Sequence, residues 1–215
     1  MDFAGFHPED FLYFMDSDQL EKVRYIKEEL HPRLRDFGHA LAGGLTRAIG
    51  VSLRPQLRSG RWYKNPWATW VSLIYPDERQ RSDNRRPRLS VFLDDTECIV
   101  GFQQNVWRPR WKRLVRTSRP ALEKAMEQAA SGRPKLDLIL SYWTHHERQT
   151  MAHGSPAELL DAAEVWGQDF VVVGKAYPFP QKADLLTSPD LAEDALSVLR
   201  KAFPVYKLAF EQTEK

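Results

Sequence analysis

Arginines and tryptophans crowd the middle third of this 215-residue chain. Between Arg54 and Arg119 there are 15 Arg and Lys against six Asp and Glu, a local charge of +9. Residues 1–53 carry −3 and residues 120–215 carry −4, so the overall +2 conceals a basic block between acidic flanks. Five of the seven tryptophans lie in that block: Trp62, Trp67, Trp70, Trp107 and Trp111. Cations interleaved with aromatic rings attract phosphate and offer faces on which bases stack. Three basic segments contribute, Arg54 to Lys64, Arg79 to Arg88 and Arg108 to Arg116. Arg54, Gln56 and Arg58 alternate onto one strand face, with Arg61 and Lys64 following. Arg85 and Arg86 belong to the second segment. Arg108, Lys112 and Arg116 recur at four-residue steps, a helical stripe expected opposite a Trp107–Trp111 face. If the segments meet, they form a phosphate-binding patch. The plainer reading is tryptophans in the core under a solvated cationic face.

Other reactive residues carry weaker signals. His145 and His146 are adjacent, so on a strand they point in opposite directions; with His153 they do not make a recognised metal spacing, and no metal is expected. Cys98 lies beside Ile99 and Val100, which suggests a buried thiol rather than a nucleophile. Asp94, Asp95 and Glu97 suit a divalent cation, yet a tight hairpin uses the same residues for its turn. His153-Gly154-Ser155 is half of a paired phosphoesterase arrangement with no second copy, so Ser155 reads as a helix cap. Ala42-Gly43-Gly44-Leu45 has neither the spacing nor the lysine of a phosphate loop. No catalytic motif stands out, and no cofactor is implied.

The apolar fraction of 42% and charged fraction of 28% are those of an ordinary globular protein, long enough for one domain with a substantial core. No apolar run approaches a membrane span. Met1 to Phe6 lack the basic flank and apolar stretch of a signal peptide. With Cys98 as the only cysteine, no intrachain disulfide forms, and a cytoplasmic location is expected.

The pattern of elements predicts how these residues are held. A short helix opens at Glu9 after His7-Pro8. A longer one runs from about Asp18 to Ala42, with Leu20, Val23, Ile26, Leu30 and Leu34 on one face, a kink or interruption by Pro32 near Leu30, and Gly43-Gly44 and Gly50 marking its end. Strands follow at Ser52 to Arg58 and Trp67 to Tyr75, the second apolar on both faces. Arg88 to Leu93 and Cys98 to Phe102 make a hairpin. Pro76 to Pro87 reads as a loop. Helix returns near Val106, and Ser118 with Pro120 opens a second segment that ends at Gly132-Arg133-Pro134. Leu136 to Trp143 is a strand, Ser155 to Trp166 a helix, Phe170 to Gly174 a buried strand and Asp190 to Phe203 a final helix. Segregated helices and hairpins predict a single α+β domain over residues 1–215, with helices around a mainly antiparallel sheet.

The order of these segments resembles the YktB-like family of uncharacterised bacterial proteins. Gly5-Phe6 with Glu9-Asp10-Phe11 and a helix through Leu41 resembles its opening. Asn65-Pro66 with Thr69-Trp70-Val71, then Pro87, Leu89, Val91 and Phe92, resemble its next strands. Val171 to Gly174 and Pro204-Val205-Tyr206-Lys207 resemble its closing strand and helix. Where that family carries histidines before its Asn-Pro, this chain has Arg54, Gln56, Arg58 and Arg61. The resemblance implies the same α+β domain and no activity. Function is therefore read from the basic block: a polyanion-binding protein, nucleic acid being the expected partner. The alternatives are an anionic small molecule or enzyme pocket near Arg58 to Trp70, with Arg61 and Lys64, and an adaptor whose basic face meets an acidic protein. Salt and oligonucleotide-length dependence separate them.

Overall fold

The computed structural model describes residues 3–59, 68–75, 87–106, 108–143, 148–166 and 170–213. In chain order the elements are α1 (Glu9–Leu12), α2 (Gln19–Tyr25), a π turn (Ile26–Leu30), α3 (His31–Ile49), β1 (Arg54–Ser59), β2 (Ala68–Ile74), β3 (Arg88–Asp94), β4 (Glu97–Asn105), α4 (Pro109–Ala130), β5 (Asp137–Trp143), β6 (Arg148–His153), α5 (Pro156–Trp166), β7 (Phe170–Pro178), α6 (Ala183–Leu186) and α7 (Asp190–Thr213). The seven strands form one sheet in the order β1-β2-β3-β4-β7-β5-β6. β1 pairs antiparallel with β2, and β5 with both β6 and β7, so the fold is α+β with a mainly antiparallel sheet, as the patterning predicts. Among the described residues no helix is long and apolar enough to cross a membrane.

The chain packs as two compact units. The first comprises Met1–Arg79, Ser90–Val100 and Ala176–Ser197. The α-helical geometry of its long N-terminal helix is interrupted near Leu30, as expected, but the helix does not end there: in the π turn the His31 N–H bonds the Ile26 carbonyl five residues back, and Pro32, which has no N–H to give, sits in the first turn of α3. The inner positions become Lys22, Ile26, Leu30 and Leu34, and Leu20, expected inside, is 83% exposed. Nor do Gly43 and Gly44 end the helix. It runs to Ile49 and stops at Gly50, whose left-handed φ of 69° closes it. Gly38 serves close packing: a Cβ there would lie 2.7 Å from Val71 Cγ2 and 2.8 Å from Pro55 Cβ. Phe3 stacks on Phe37 at 4.2 Å, and Phe11 on Phe179 at 4.6 Å. β2 is buried on both faces, as expected, with Trp70 stacked on Phe92 at 6.2 Å.

The second unit comprises Gln80–Leu89, Gly101–Lys175 and Val198–Lys215. β4 extends to Asn105, three residues beyond the expected hairpin arm. Gly101 lets the backbones of β4 and β7 close up, since a Cβ would sit 2.5 Å from the Val173 carbonyl oxygen. Arg88 is buried on β3; it donates to Gln103 Oε1 at 3.3 Å, and its guanidinium lies 5.3 Å from the centre of the Phe170 ring. β6 was not anticipated: Arg148–His153 is polar and carries no apolar alternation, and it is ordered by pairing with β5, Ser141 opposite Thr150 and Leu138 opposite His153. α7 continues through Pro204 to Thr213, beyond the expected end at Phe203, burying Ala202, Val205, Tyr206 and Ala209. The loop read at Pro76 to Pro87 lies outside the described residues except for Pro87.

Candidate functional site: the cationic face of α4

Pro109 fits the first turn of α4, because the N–H it lacks has no intrahelical partner there, and Arg108 precedes it in an extended conformation. Trp111, Leu114, Val115, Leu122, Met126 and Ala129 recur at three- and four-residue steps and are buried. Arg110, Lys112, Arg113 and Arg116 take the remaining positions and are exposed. Ser118 leaves helical geometry, at φ −136° and ψ 20°, so α4 is two helical segments that meet at a kink there, as the sequence predicts. Pro120 is the cause: its missing N–H leaves the Arg116 carbonyl without its helical donor. Past the kink Arg119 donates to Glu123 at 2.7 Å and to Asp161 of α5 at 2.6 Å, and these bonds raise its pKa. The pair with Asp161 ties α5 to α4.

α5 itself is set as expected. Ser155 Oγ accepts from the Glu158 N–H at 3.3 Å, and Glu158 reaches back to the Gly154 N–H at 3.0 Å. Between α4 and α5 lies a cleft of about 220 Å³. Val106, Trp111, Val115 and Ala163 give its apolar walls; Lys112, Arg116 and Glu164 give its charges. Trp111 is itself braced by Phe102, ring centres 6.3 Å apart. The cationic stripe is therefore not opposite Trp111. Successive helical residues differ by about 100°, so the Trp111–Val115 row and the Lys112–Arg116 row are neighbours and meet in one cleft.

The electrostatics of this half-helix are one-sided. No acidic residue occupies α4 before Glu123. The positive end of a helix dipole disfavours cations, and four sit in the first eight residues. Among the described residues, the side chains of Lys112, Arg113 and Arg116 engage in no ion pair or hydrogen bond, and neither does Glu164. The arrangement can accept an anion whose charge offsets both.

The other expected site residues are dispersed. Arg54 and Gln56 stand on the edge strand β1 of the first unit, opposite Ile74 and Ser72, half-buried and already engaged in interactions. The backbone of Arg58 pairs with Trp70, while its side chain lies outside the described residues, as do Arg61, Lys64, Arg85, Arg86, Trp62, Trp67 and Trp107. Arg108 is half-buried and likewise engaged. Of the ten residues, the structure brings Lys112 and Arg116 into one cleft, on the helix that Arg108 precedes.

The remaining chemical candidates have structural explanations. Cys98 is buried, and burial, then Glu97 and Asp94, push its thiol pKa well up, the wrong direction for a nucleophile. Asp94 Oδ1 accepts from the Thr96 N–H at 2.9 Å, the Thr96 hydroxyl at 2.8 Å and the Glu97 N–H at 2.9 Å, so it holds the hairpin turn. His153 sits on β6 with Nε2 buried; His145 and His146 lie outside the described residues. Among the described residues no three His, Cys, Asp or Glu side chains gather as metal ligands would.

One polar cluster escaped the sequence reading. Asp10, fully buried, accepts from Arg33 Nη2 at 2.7 Å, Arg33 Nε at 3.1 Å, the Tyr25 hydroxyl at 3.0 Å and the His7 N–H at 2.8 Å. Burial, with Asp10 close by, raises the Tyr25 pKa. Every acceptor position is filled, so this is a lock for the N-terminal segment. Carboxylate, tyrosine and arginine stand at no motif spacing, and only the fold assembles them. The cleft residues Ala163 and Glu164 were missed as well, for they are ordinary amphipathic-helix residues until α5 meets α4. No protein-family model matches the chain, and no curated protein matches it.

Proposed function

We propose that this protein binds a polyanion, nucleic acid foremost, through the exposed cationic face of α4, and that it does so in the cytoplasm. One observation carries the reading: Lys112, Arg113 and Arg116 are exposed and uncommitted at the positive half of a helix without an acid before Glu123. A solvated surface of no function would ordinarily interleave acids with such cations, because i,i+4 pairs stabilise a helix and like charges destabilise it. Nothing in the arrangement reads base edges in a groove, so binding is weak and indifferent to duplex sequence. Of the side chains named for the alternative pocket, those of Arg58, Arg61, Lys64 and Trp70, only that of Trp70 is among the described residues, and it is buried against Phe92. The chain also stands as a candidate relative of the YktB-like family on the order of its segments alone.

The test is fluorescence anisotropy with labelled oligonucleotides across a salt series. Three free cations predict a slope of log K against log salt of about −2 for single strands, on a dissociation constant of roughly 10⁻⁴ to 10⁻⁶ M. Lys112→Glu with Arg116→Glu is expected to abolish binding with little change in melting temperature, since exposed charges contribute little to stability. Binding that survives the reversal places the surface elsewhere. No salt-sensitive binding to single or double strands refutes the reading and leaves an adaptor for an acidic protein.

A further inference from the structure

We infer that the polyanion this protein takes is RNA, and that Glu164, on α5, selects it over DNA by accepting a hydrogen bond from the ribose 2′-hydroxyl. The inference rests on the polyanion reading and deepens it. Val106, Trp111, Val115 and Ala163 are buried, so they shape the cleft between α4 and α5 without presenting a face to a ligand. What the cleft presents is charge: Lys112 and Arg116 from α4 and Glu164 from α5, all three exposed. Elsewhere along the same two helices opposite charges meet, for Arg119 donates to Asp161 at 2.6 Å. Glu164 lies three residues beyond Asp161, on the same side of α5. It shares the cleft with Lys112 and Arg116, yet among the described residues it pairs with neither. The cations and the carboxylate are therefore held apart, with room between them for a group that answers both. At about 220 Å³ that room is smaller than the roughly 300–1,000 Å³ of a drug-sized site, so it takes a fragment of the strand rather than a whole nucleotide.

A bare anion does not answer both. A phosphate drawn to Lys112 and Arg116 comes near the Glu164 carboxylate and is repelled by it. The ligand that fits carries a hydrogen-bond donor beside its phosphate and adds no further negative charge. DNA has its donors on the bases, and its sugar-phosphate backbone has none. RNA has a 2′-hydroxyl on every sugar, on the carbon next to the one that bears the 3′-phosphate, and that hydroxyl is the group by which a protein tells the two apart. With phosphate on Lys112 and Arg116 and the adjoining 2′-hydroxyl donating to Glu164, each of the three side chains has a partner. Glu164 then acts by difference: it gains a charge-assisted bond from RNA and meets DNA with repulsion alone.

The experiment is fluorescence anisotropy on the intact protein at low salt, with three labelled single strands of equal length and matched sequence: an oligoribonucleotide, an oligodeoxyribonucleotide, and a 2′-O-methyl oligoribonucleotide, which keeps the 2′ oxygen and loses its proton. The oligoribonucleotide is expected to bind roughly threefold to tenfold tighter than either of the others, the range of one net hydrogen bond. Glu164→Ala removes an exposed charge and is expected to leave the melting temperature near the native value. In that variant the oligodeoxyribonucleotide is expected to bind tighter than it does to the native protein, and the preference for RNA to vanish. If the native protein binds RNA no tighter than DNA, the selection by Glu164 is overturned and the polyanion reading stands. A 2′-O-methyl strand that binds as well as RNA overturns it too, since the donor is then dispensable, and so does a preference for RNA that survives in Glu164→Ala. The comparison across probes needs no variant. If no probe binds in a salt-sensitive way, both readings fall together.

Discussion

Asp10 shows how one buried carboxylate can organise a chain end. Its oxygens accept two bonds from Arg33, one from Tyr25 and one from the His7 backbone. Removing one side of a buried ion pair costs about 3–5 kcal/mol, because the partner is left without compensation. The Arg33 side chain is 20% exposed and recovers some hydration, so Asp10→Ala is expected near the lower end, about 3 kcal/mol, by urea denaturation. Glu29→Ala removes Arg33's other carboxylate, at 3.3 Å and 57% exposed, and is expected to cost under ~1 kcal/mol. Equal losses would mean that burial is not what matters. His31 supplies a pH dependence. Its ring hydrogen-bonds the Thr69 hydroxyl at 3.1 Å, and burial, then Arg35 and Lys27, lower its pKa to about 4. The unfolded chain, with a histidine near 6.5, binds more protons between those values. Stability is therefore full above pH 6.5, falls as the pH drops and bottoms out below 4. With allowance for the ring's partial exposure the loss is about 1–2 kcal/mol. The difference between urea midpoints at pH 7 and pH 4.5 is expected to shrink in His31→Gln; an unchanged difference assigns the effect to other groups.

At the scale of elements, glycines in α3 separate two roles that composition cannot. Gly38→Ala gains about 1 kcal/mol of helix propensity yet drives a methyl to within 2.7 Å of Val71, a branched side chain held on β2, and 2.8 Å of the Pro55 ring. Overpacking of that kind costs about 1–3 kcal/mol, so the net change is destabilising. Gly43→Ala meets nothing nearer than Arg47 Nη1 at 3.6 Å and is expected to stabilise by up to ~1 kcal/mol. Melting temperatures moving in opposite directions confirm the assignment; a rise in both refutes the close packing at Gly38. The same helix shows what patterning can and cannot reveal. Leu30 and Leu34 fall inside as their spacing predicts, because a 3.6-residue period needs only local geometry. Leu20 falls outside because the π turn changes the phase upstream, and Gly43-Gly44 fail as a stop because tertiary packing sets where α3 ends. β6 was illegible for a related reason: an edge strand needs no apolar face, and its only signature is a partner far along the chain. The site divides likewise. Lys112 and Arg116 are visible as a four-residue repeat, whereas the cleft they border depends on Ala163 and Glu164, some fifty residues away and joined to them only by the docking of α5.

For the whole molecule, the way the chain is distributed decides how it unfolds. Four of the five boundaries between the two compact units fall inside elements: between Leu89 and Ser90 in β3, Val100 and Gly101 in β4, Lys175 and Ala176 in β7, and Ser197 and Val198 in α7; the fifth, between Arg79 and Gln80, lies outside the described residues. Neither unit is a continuous piece of sequence, and neither can be excised without cutting three strands and a helix. A strand that loses half its length loses ladder bonds whose unpaired N–H and C=O groups are costly when buried. α7 poses the same condition, since Leu191, Ala192 and Ala195 are buried on one side of the boundary and Val198, Leu199 and Ala202 on the other. Unravelling one half therefore exposes apolar surface that the helix needs to stay formed. The expected outcome is one cooperative transition: far-ultraviolet circular dichroism and tryptophan fluorescence give the same midpoint, and the calorimetric enthalpy equals the van 't Hoff value. Two resolved transitions, or a fluorescence midpoint well separated from the dichroic one, would show that the units melt independently despite sharing β3, β4, β7 and α7.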